Sequence, residues 1–222
     1  MDRTLDRRFF ATAAILLCFV MFVGFARNYY LRAWIGTRPL TVLAHVHGLV
    51  MTAWVALFAV QTFLISRRRV ARHQKLGYWV AGLSAVVVLL GIVTIAAAIA
   101  RRRPGVDLGT ALWVFVAYDG LSVLLFGGLV AAAIAKRRTP WAHKRLMLMA
   151  MLSLLPPAFG RLVAYFTHAD VEIIVLCLMY ASVAIVIGAD WFRTRRPYAA
   201  VAIPALLIIV VNQLTYFAQV HT

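Results

Sequence analysis

Seven stretches of this chain, near residues 9–27, 41–65, 78–100, 110–135, 146–167, 171–190 and 199–219, are almost wholly apolar. Each is close to the roughly 20 residues that a helix needs to cross the hydrocarbon of a bilayer. Together they take up most of the 222 residues and leave no room for a soluble domain. With 64% of residues hydrophobic and 14% charged, residues 1–222 are expected to form one all-α transmembrane domain. The expected fold is a polytopic bundle of seven transmembrane helices.

The few charges carry the orientation. The net charge is +16, from 23 Lys and Arg against seven acids. Sixteen cations flank the runs on one side: Arg3, Arg7 and Arg8; Arg67, Arg68, Arg69, Arg72 and Lys75; Lys136, Arg137, Arg138, Lys144 and Arg145; Arg193, Arg195 and Arg196. Six flank the other side (Arg27, Arg32, Arg38, Arg101, Arg102 and Arg103), and Arg161 stands inside a run. Basic loops stay cytoplasmic, which predicts a cytoplasmic N-terminus and a periplasmic C-terminus in a bacterial inner membrane. Such loops also attract anionic lipid headgroups. This placement of charge speaks against nucleic acid as a partner. Trp34 and Trp113 fall at the outer edge, and Trp79, Trp141 and Trp191 at the inner edge, as interfacial belts do. Trp54 is mid-span and is expected to pack within the bundle. Cys18 and Cys177 lie in apolar runs, where a disulfide is not expected. LDRRFF before an apolar run has the form of a twin-arginine or Sec signal, with Gly24-Phe25-Ala26 as a cleavage site. The run is long for a signal and continues into RNYYLRAW, so an uncleaved first helix is expected.

The inner loops echo one another. RRRVARHQKLG (67–77) and RRTPWAHKRLM (137–147) align with Arg67 on Arg137, His73 on His143 and Lys75 on Arg145. The echo suggests that spans two-three and four-five are related hairpins. In the fifth span, Pro156 and Pro157 remove backbone donors and predict a kink that opens space around Arg161.

Ionisable groups inside apolar runs are the candidate site, because a charge at mid-bilayer costs about 2.5–3.5 kcal/mol and so needs a partner. By helical rise, His47, Asp119, Arg161 and Asn212 all fall roughly 9–14 Å below the outer ends of their spans. Arg161, Tyr165 and His168 share one helical face; Asn212, Thr215, Tyr216 and Gln219 share another; His47, Met51 and Trp54 a third. The expected arrangement is an outward cavity lined by His45, His47, Asp119, Arg161, Tyr165, His168, Asn212 and Tyr216. Arg161 would contact an anion, with Asp119 orienting it or taking a proton. The structural alternative is an Asp119–Arg161 ion pair, with Asn and Tyr as interhelical hydrogen bonds.

The histidines suggest two chemistries. Imidazoles on facing helices can ligate haem iron, with His47 (or His45) and His168 at the outer level and His73 and His143 at the inner level. Arg161 would then meet a haem propionate. Alternatively, His45, His47 and His168 with a carboxylate would hold Zn or Cu. The simpler reading leaves His73 and His143 solvated in basic loops and pairs His168 with Asp170 and Glu172. The chain has no C-x-x-C-H, Walker or H-E-x-x-H motif, and no Lys in the last span for a retinal Schiff base.

The stretches HVHGLVMTAWVALFAVQTFLISRRRVARHQKLGYWVAG (45–82) and HKRLMLMAMLSLLPPAFGRL (143–162) resemble uncharacterised bacterial multi-helix membrane proteins. A His at one helix start, followed by R-x-x-x-H-x-x-L-G at the next, also resembles the two-haem transmembrane b-type cytochromes. That resemblance implies haem b and electron transport. It covers about half the chain, and differs in placing His73 and His143 at loop edges, with no His in the fourth span. Three functions are therefore expected, in this order: a membrane redox or haem-binding protein; a non-haem metal or small-ligand binding protein such as a permease or sensor; and a structural subunit or assembly factor partnered in a membrane complex.

Overall fold

The computed structural model describes residues 3–36, 39–101, 109–167 and 170–220. Among the described residues every regular element is helical. They are α1 (Arg3–Phe25), α2 (Arg32–Ile35), α3 (Val42–Ser66), α4 (Val70–Ala100), α5 (Gly109–Ala135), α6 (Pro140–Leu152), α7 (Pro156–Phe166), α8 (Val171–Thr194) and α9 (Ala199–Val220). Among the described residues six helices are long and apolar enough to span a bilayer, and α6 with α7 is a bent pair that makes a seventh if it counts as one span. The helices begin and end for local reasons. The Thr41 hydroxyl accepts from the Ala44 N–H at 3.2 Å and caps α3. Gly36, at φ 74°, closes α2 in the left-handed region that glycine adopts without strain. Pro140 starts α6, where its missing N–H costs nothing. Pro156 and Pro157 have no N–H to continue the ladder from α6, so the chain breaks after Leu152 and α7 leaves at 41°.

α3 packs on α4, α4 on α5, and α5 on α6, with α1 against α3 and α7, and α9 against α5 and α8. The second half of α6 is enclosed: Leu148, Met149, Ala150, Met151 and Leu152 are each no more than 2% exposed. Methionine suits such a position because its flexible thioether fills irregular space. The Trp54 indole N–H donates to Met151 Sδ at 3.2 Å, and its ring meets Phe126 edge-on at 5.1 Å. That knot joins α3, α5 and α6 at mid-height. The outer surface, by contrast, carries Ile15, Phe19, Leu49, Leu89, Leu124, Ile185 and Leu206. Only 17–33% of each span's most apolar window is buried within the bundle, so most apolar surface faces outward, as lipid-facing helices require.

Where α6 begins, a charge network closes the basic-loop end. Arg145 Nε donates to both Asp190 oxygens at 2.9 and 3.0 Å, and Nη2 to Oδ1 at 2.6 Å. The two side chains are 2% and 5% exposed, a buried pair. A further Arg145 N–H donates to the Trp141 carbonyl at 2.7 Å, and the guanidinium lies 4.5 Å from the Tyr198 ring centre. Arg193 links Asp190 (3.4 Å) to Asp6 (3.5 Å), and Lys144 pairs with Asp6. Arg193 also stacks 3.6 Å from the Phe9 ring centre. Counting Lys144 and Arg145 as loop charges is thus corrected. Both belong to α6, and their charge is matched by Asp6 and Asp190.

Removing one half of the buried pair strands the other. Arg145→Met or Asp190→Leu alone should cost on the order of 3–5 kcal/mol, seen as a lower denaturation midpoint of purified protein in detergent. The double replacement should recover most of that loss.

Candidate functional site

At the end opposite the basic loops the helices part. A cavity of about 890 Å³ opens there, walled by α1, α3, α4, α5, α7, α8 and α9. The α6–α7 break forms one side: Ser153, Leu154, Pro156 and Pro157 all line it. The 41° tilt carries α7 off the axis of α6 and leaves a space that no side chain of a straight helix would leave. Phe126, from the Trp54 knot, also lines the cavity.

His47, Asp119, Arg161, Asn212 and Tyr216 all line this one cavity, from α3, α5, α7 and α9. Their sequence depths brought them to one level, and the helix faces turn them inward together. Arg161 Nη1 donates to the Pro157 carbonyl at 2.8 Å, and its guanidinium lies 4.5 Å from the Phe25 ring centre. It makes no ion pair with Asp119 among the described residues. The two charges are near enough to act on one another, but the direct ion pair weighed from the sequence is not closed to salt-bridge distance. Nor do Asn212 and Thr215 bridge helices. The Asn212 amide donates to Ile208 O and the Thr215 hydroxyl to Val211 O, both at 2.8 Å on their own helix. His47 Nδ1 is buried with no hydrogen-bond partner among the described residues.

Two expected members fall elsewhere, and a third is not described. His45 is exposed, and its carbonyl accepts from Tyr29 Oη at 3.1 Å. Two residues along a helix turn a side chain by roughly 200°, so His45 and His47 cannot share a face. Tyr165 lines a neighbouring cleft rather than the main cavity, because α7 bends away and carries that turn outward. His168 lies outside the described residues. Among the described residues no group of three His, Cys, Asp or Glu is placed to hold a metal ion, and the His45, His47, His168 set includes a residue outside them. Cys18 and Cys177 are both free thiols.

His73 and His143 do meet, at the basic-loop end. Their ring centres are 6.2 Å apart with planes at 80°. His143 Nδ1–H donates to the Ala133 carbonyl at 2.8 Å, which leaves Nε2 with a free lone pair. His73 Nδ1 and Gln61 Oε1 are buried without hydrogen-bond partners among the described residues. Sequence reasoning missed the Asp6 and Asp190 acids that anchor this end. The signal for them was an acid at the inner edge of one run opposite an Arg at the inner edge of another.

The chain matches no known protein family, no curated protein and no solved structure. Its site is therefore read from its own residues.

Cysteine reactivity checks the cavity directly. With Cys18 and Cys177 replaced by Ser, Asp119→Cys should react with a small methanethiosulfonate on the order of tenfold faster than Leu129→Cys, which needs local opening. Leu129 is 5% exposed. Equal rates would mean that the cavity is closed.

Proposed function

We propose that this is a multi-pass protein of a bacterial inner membrane that binds a small ligand carrying an anionic group. The excess of Lys and Arg at the basic-loop end supports a cytoplasmic position for that end, against anionic lipid headgroups. The cavity then faces the periplasmic half of the bilayer. One observation carries the reading: Asp119 and Arg161 line the same cavity without pairing to each other. In apolar surroundings ionised side chains held short of direct contact with a counter-charge are costly, and a ligand that bridges them would relieve that cost. Arg161 has five N–H donors and spends one on Pro157, so its fork is available to a carboxylate or phosphate. Asp119 accepts from the ligand or takes its proton. The volume lies within the roughly 300–1,000 Å³ of small-molecule sites. A permease and a sensor would both use such a site.

A second reading, haem b at the cytoplasmic end, is supported by the His73–His143 pair. Two imidazoles 6.2 Å apart, one of them held by the Ala133 carbonyl so that Nε2 points away from its own hydrogen bond, fit the donor set for such a group. Bound haem would supply one-electron transfer. His73 and His143 would hold it, and Arg161 is too far toward the other end to serve it. At the outer level His47 has no described imidazole opposite it, which makes the inner pair the better supported of the two.

Two measurements separate the readings. Ligand protection of purified protein against heat should appear for at least one carboxylate or phosphate amphiphile, by about 2.7 kcal/mol at a hundredfold excess over Kd. Arg161→Ala and Asp119→Asn should each lose about 1.5–3 kcal/mol of it. If both fold and keep the protection, the two charges are only structural. For haem, purified protein should show a Soret band that His73→Ala and His143→Ala abolish. A colourless preparation with stoichiometric Zn or Cu would support a non-haem metal instead.

A further inference from the structure

Beside the main cavity lies a second space lined by two arginines and a tyrosine. Gly24 of α1 touches α7 so closely that a Cβ there would come 2.9 Å from Ala158 Cα. Beyond this contact α1 widens into a turn over Ala26–Tyr30 in which the Leu31 N–H reaches back five residues to Ala26 O, at 2.7 Å. Such a wide turn adds a residue to the helical repeat and re-aims the side chains that follow. Tyr29 and Tyr30 go to α3, where Tyr29 bonds the His45 carbonyl and Tyr30 Oη meets Thr52 Oγ1 at 2.9 Å. Arg27 goes to α7, with its guanidinium 5.6 Å from the Tyr165 ring centre.

The result is a cleft of about 520 Å³ between the end of α1 and α7. Arg27, Arg161 and Tyr165 supply its ionisable groups, and no acid is among its described lining residues. Arg27 has no ion pair among the described residues. Tyr165 Oη is buried and lacks a hydrogen-bond partner among them. Asn28, Pro157, Gly160 and Arg161 line both this cleft and the main cavity, so the two spaces adjoin through one wall. Two guanidinium forks and a phenol O–H, with no carboxylate among the described residues lining the cleft itself, make a site for an oxyanion.

We propose that the cleft binds a phosphate group of net negative charge, gripped by Arg27 and Arg161 with Tyr165 Oη donating a hydrogen bond. The proposal deepens the cavity reading and rests on it: a headgroup in the cleft places an attached chain along the shared wall and against the apolar lining of Met21, Phe25 and Val55. The phosphate comes from a phospholipid or from the free ion, and these differ in how they use the second space. A lipid fills both; the free ion fills the cleft alone.

The test uses the full-length protein in neutral detergent, with heat protection measured for phosphatidylglycerol, phosphatidylcholine and inorganic phosphate. Phosphatidylglycerol should protect and phosphatidylcholine should not, with Arg27→Gln weakening the effect by about tenfold and Arg27→Lys, which keeps the charge but not the fork, restoring part of it. Protection by phosphatidylglycerol alone identifies the lipid, and protection by inorganic phosphate as well identifies the free ion. Tyr165→Phe should weaken either by a smaller factor. Equal protection by the two lipids, or wild-type behaviour of Arg27→Gln, overturns the phosphate site. Asp119→Asn faces only the main cavity. If Asp119→Asn loses protection while Arg27→Gln keeps it, the cleft is refuted and the cavity reading stands.

Discussion

A guanidinium can lie at the centre of a helical bundle only if its charge and its donors are met there, and Arg145 meets both conditions. Three hydrogen bonds reach Asp190, one reaches the Trp141 carbonyl, and the Tyr198 ring covers its face. In an apolar interior the attraction within such a pair roughly offsets the cost of taking both ions out of water. What the pair enforces is position, since α6 and α8 can satisfy it in one register. Arg193 and Lys144 carry the same constraint on to Asp6 of α1. Three crossings are thereby fixed to one another at a single end of the bundle.

The opposite end is built on a different logic. There the chain breaks at Pro156 and Pro157, α1 widens over Ala26–Tyr30, and helices that touch at Gly24 and Ala158 diverge. Each departure from a regular helix removes packing that would otherwise fill the space. The polar groups left facing that space make few contacts with one another. Asn212 and Thr215 bond back to their own helix, and Arg161 to the carbonyl one turn before it. A tied end and an open end in one small bundle match rigidity at the first with room for a ligand at the second.

Most of this architecture was legible in the chain, for a simple reason. A bilayer imposes a length and a polarity on each crossing, and both are properties of a contiguous stretch. The bend before Pro156 and the burial of Trp54 followed from local residue chemistry in the same way. Helix ends were less legible where long cations extend the helix past its apolar run. α4 starts at Val70, about two turns before the run at 78, because Arg72 and Lys75 can snorkel to a polar surface. Arg145 looked like a loop charge for a different reason: its partner Asp190 is distant in the chain. The shared level of His47, Asp119, Arg161 and Asn212 could be read from helical rise, whereas the separation of Asp119 from Arg161 depends on tilts that no spacing encodes. Periodicity placed Tyr165 on the face of Arg161, but the bend sends that face to the cleft. The repeated loop motif aligned His73 with His143, and the two rings are neighbours. Their meeting is a tertiary event that the alignment of the loops did not require.

The isolation of α6 bears on how the chain is made. Its 13 residues, with Lys144 and Arg145 near the start, are too few to cross a bilayer, and the bent pair qualifies as a span only when α7 is added. Nearly every side chain of its second half is enclosed by neighbours. A segment of that kind has no stable resting place in lipid by itself. Its partner acid, Asp190, lies at the far end of α8 and is synthesised later. The charge balance of the fifth apolar segment therefore depends on a carboxylate that the chain supplies only with the sixth.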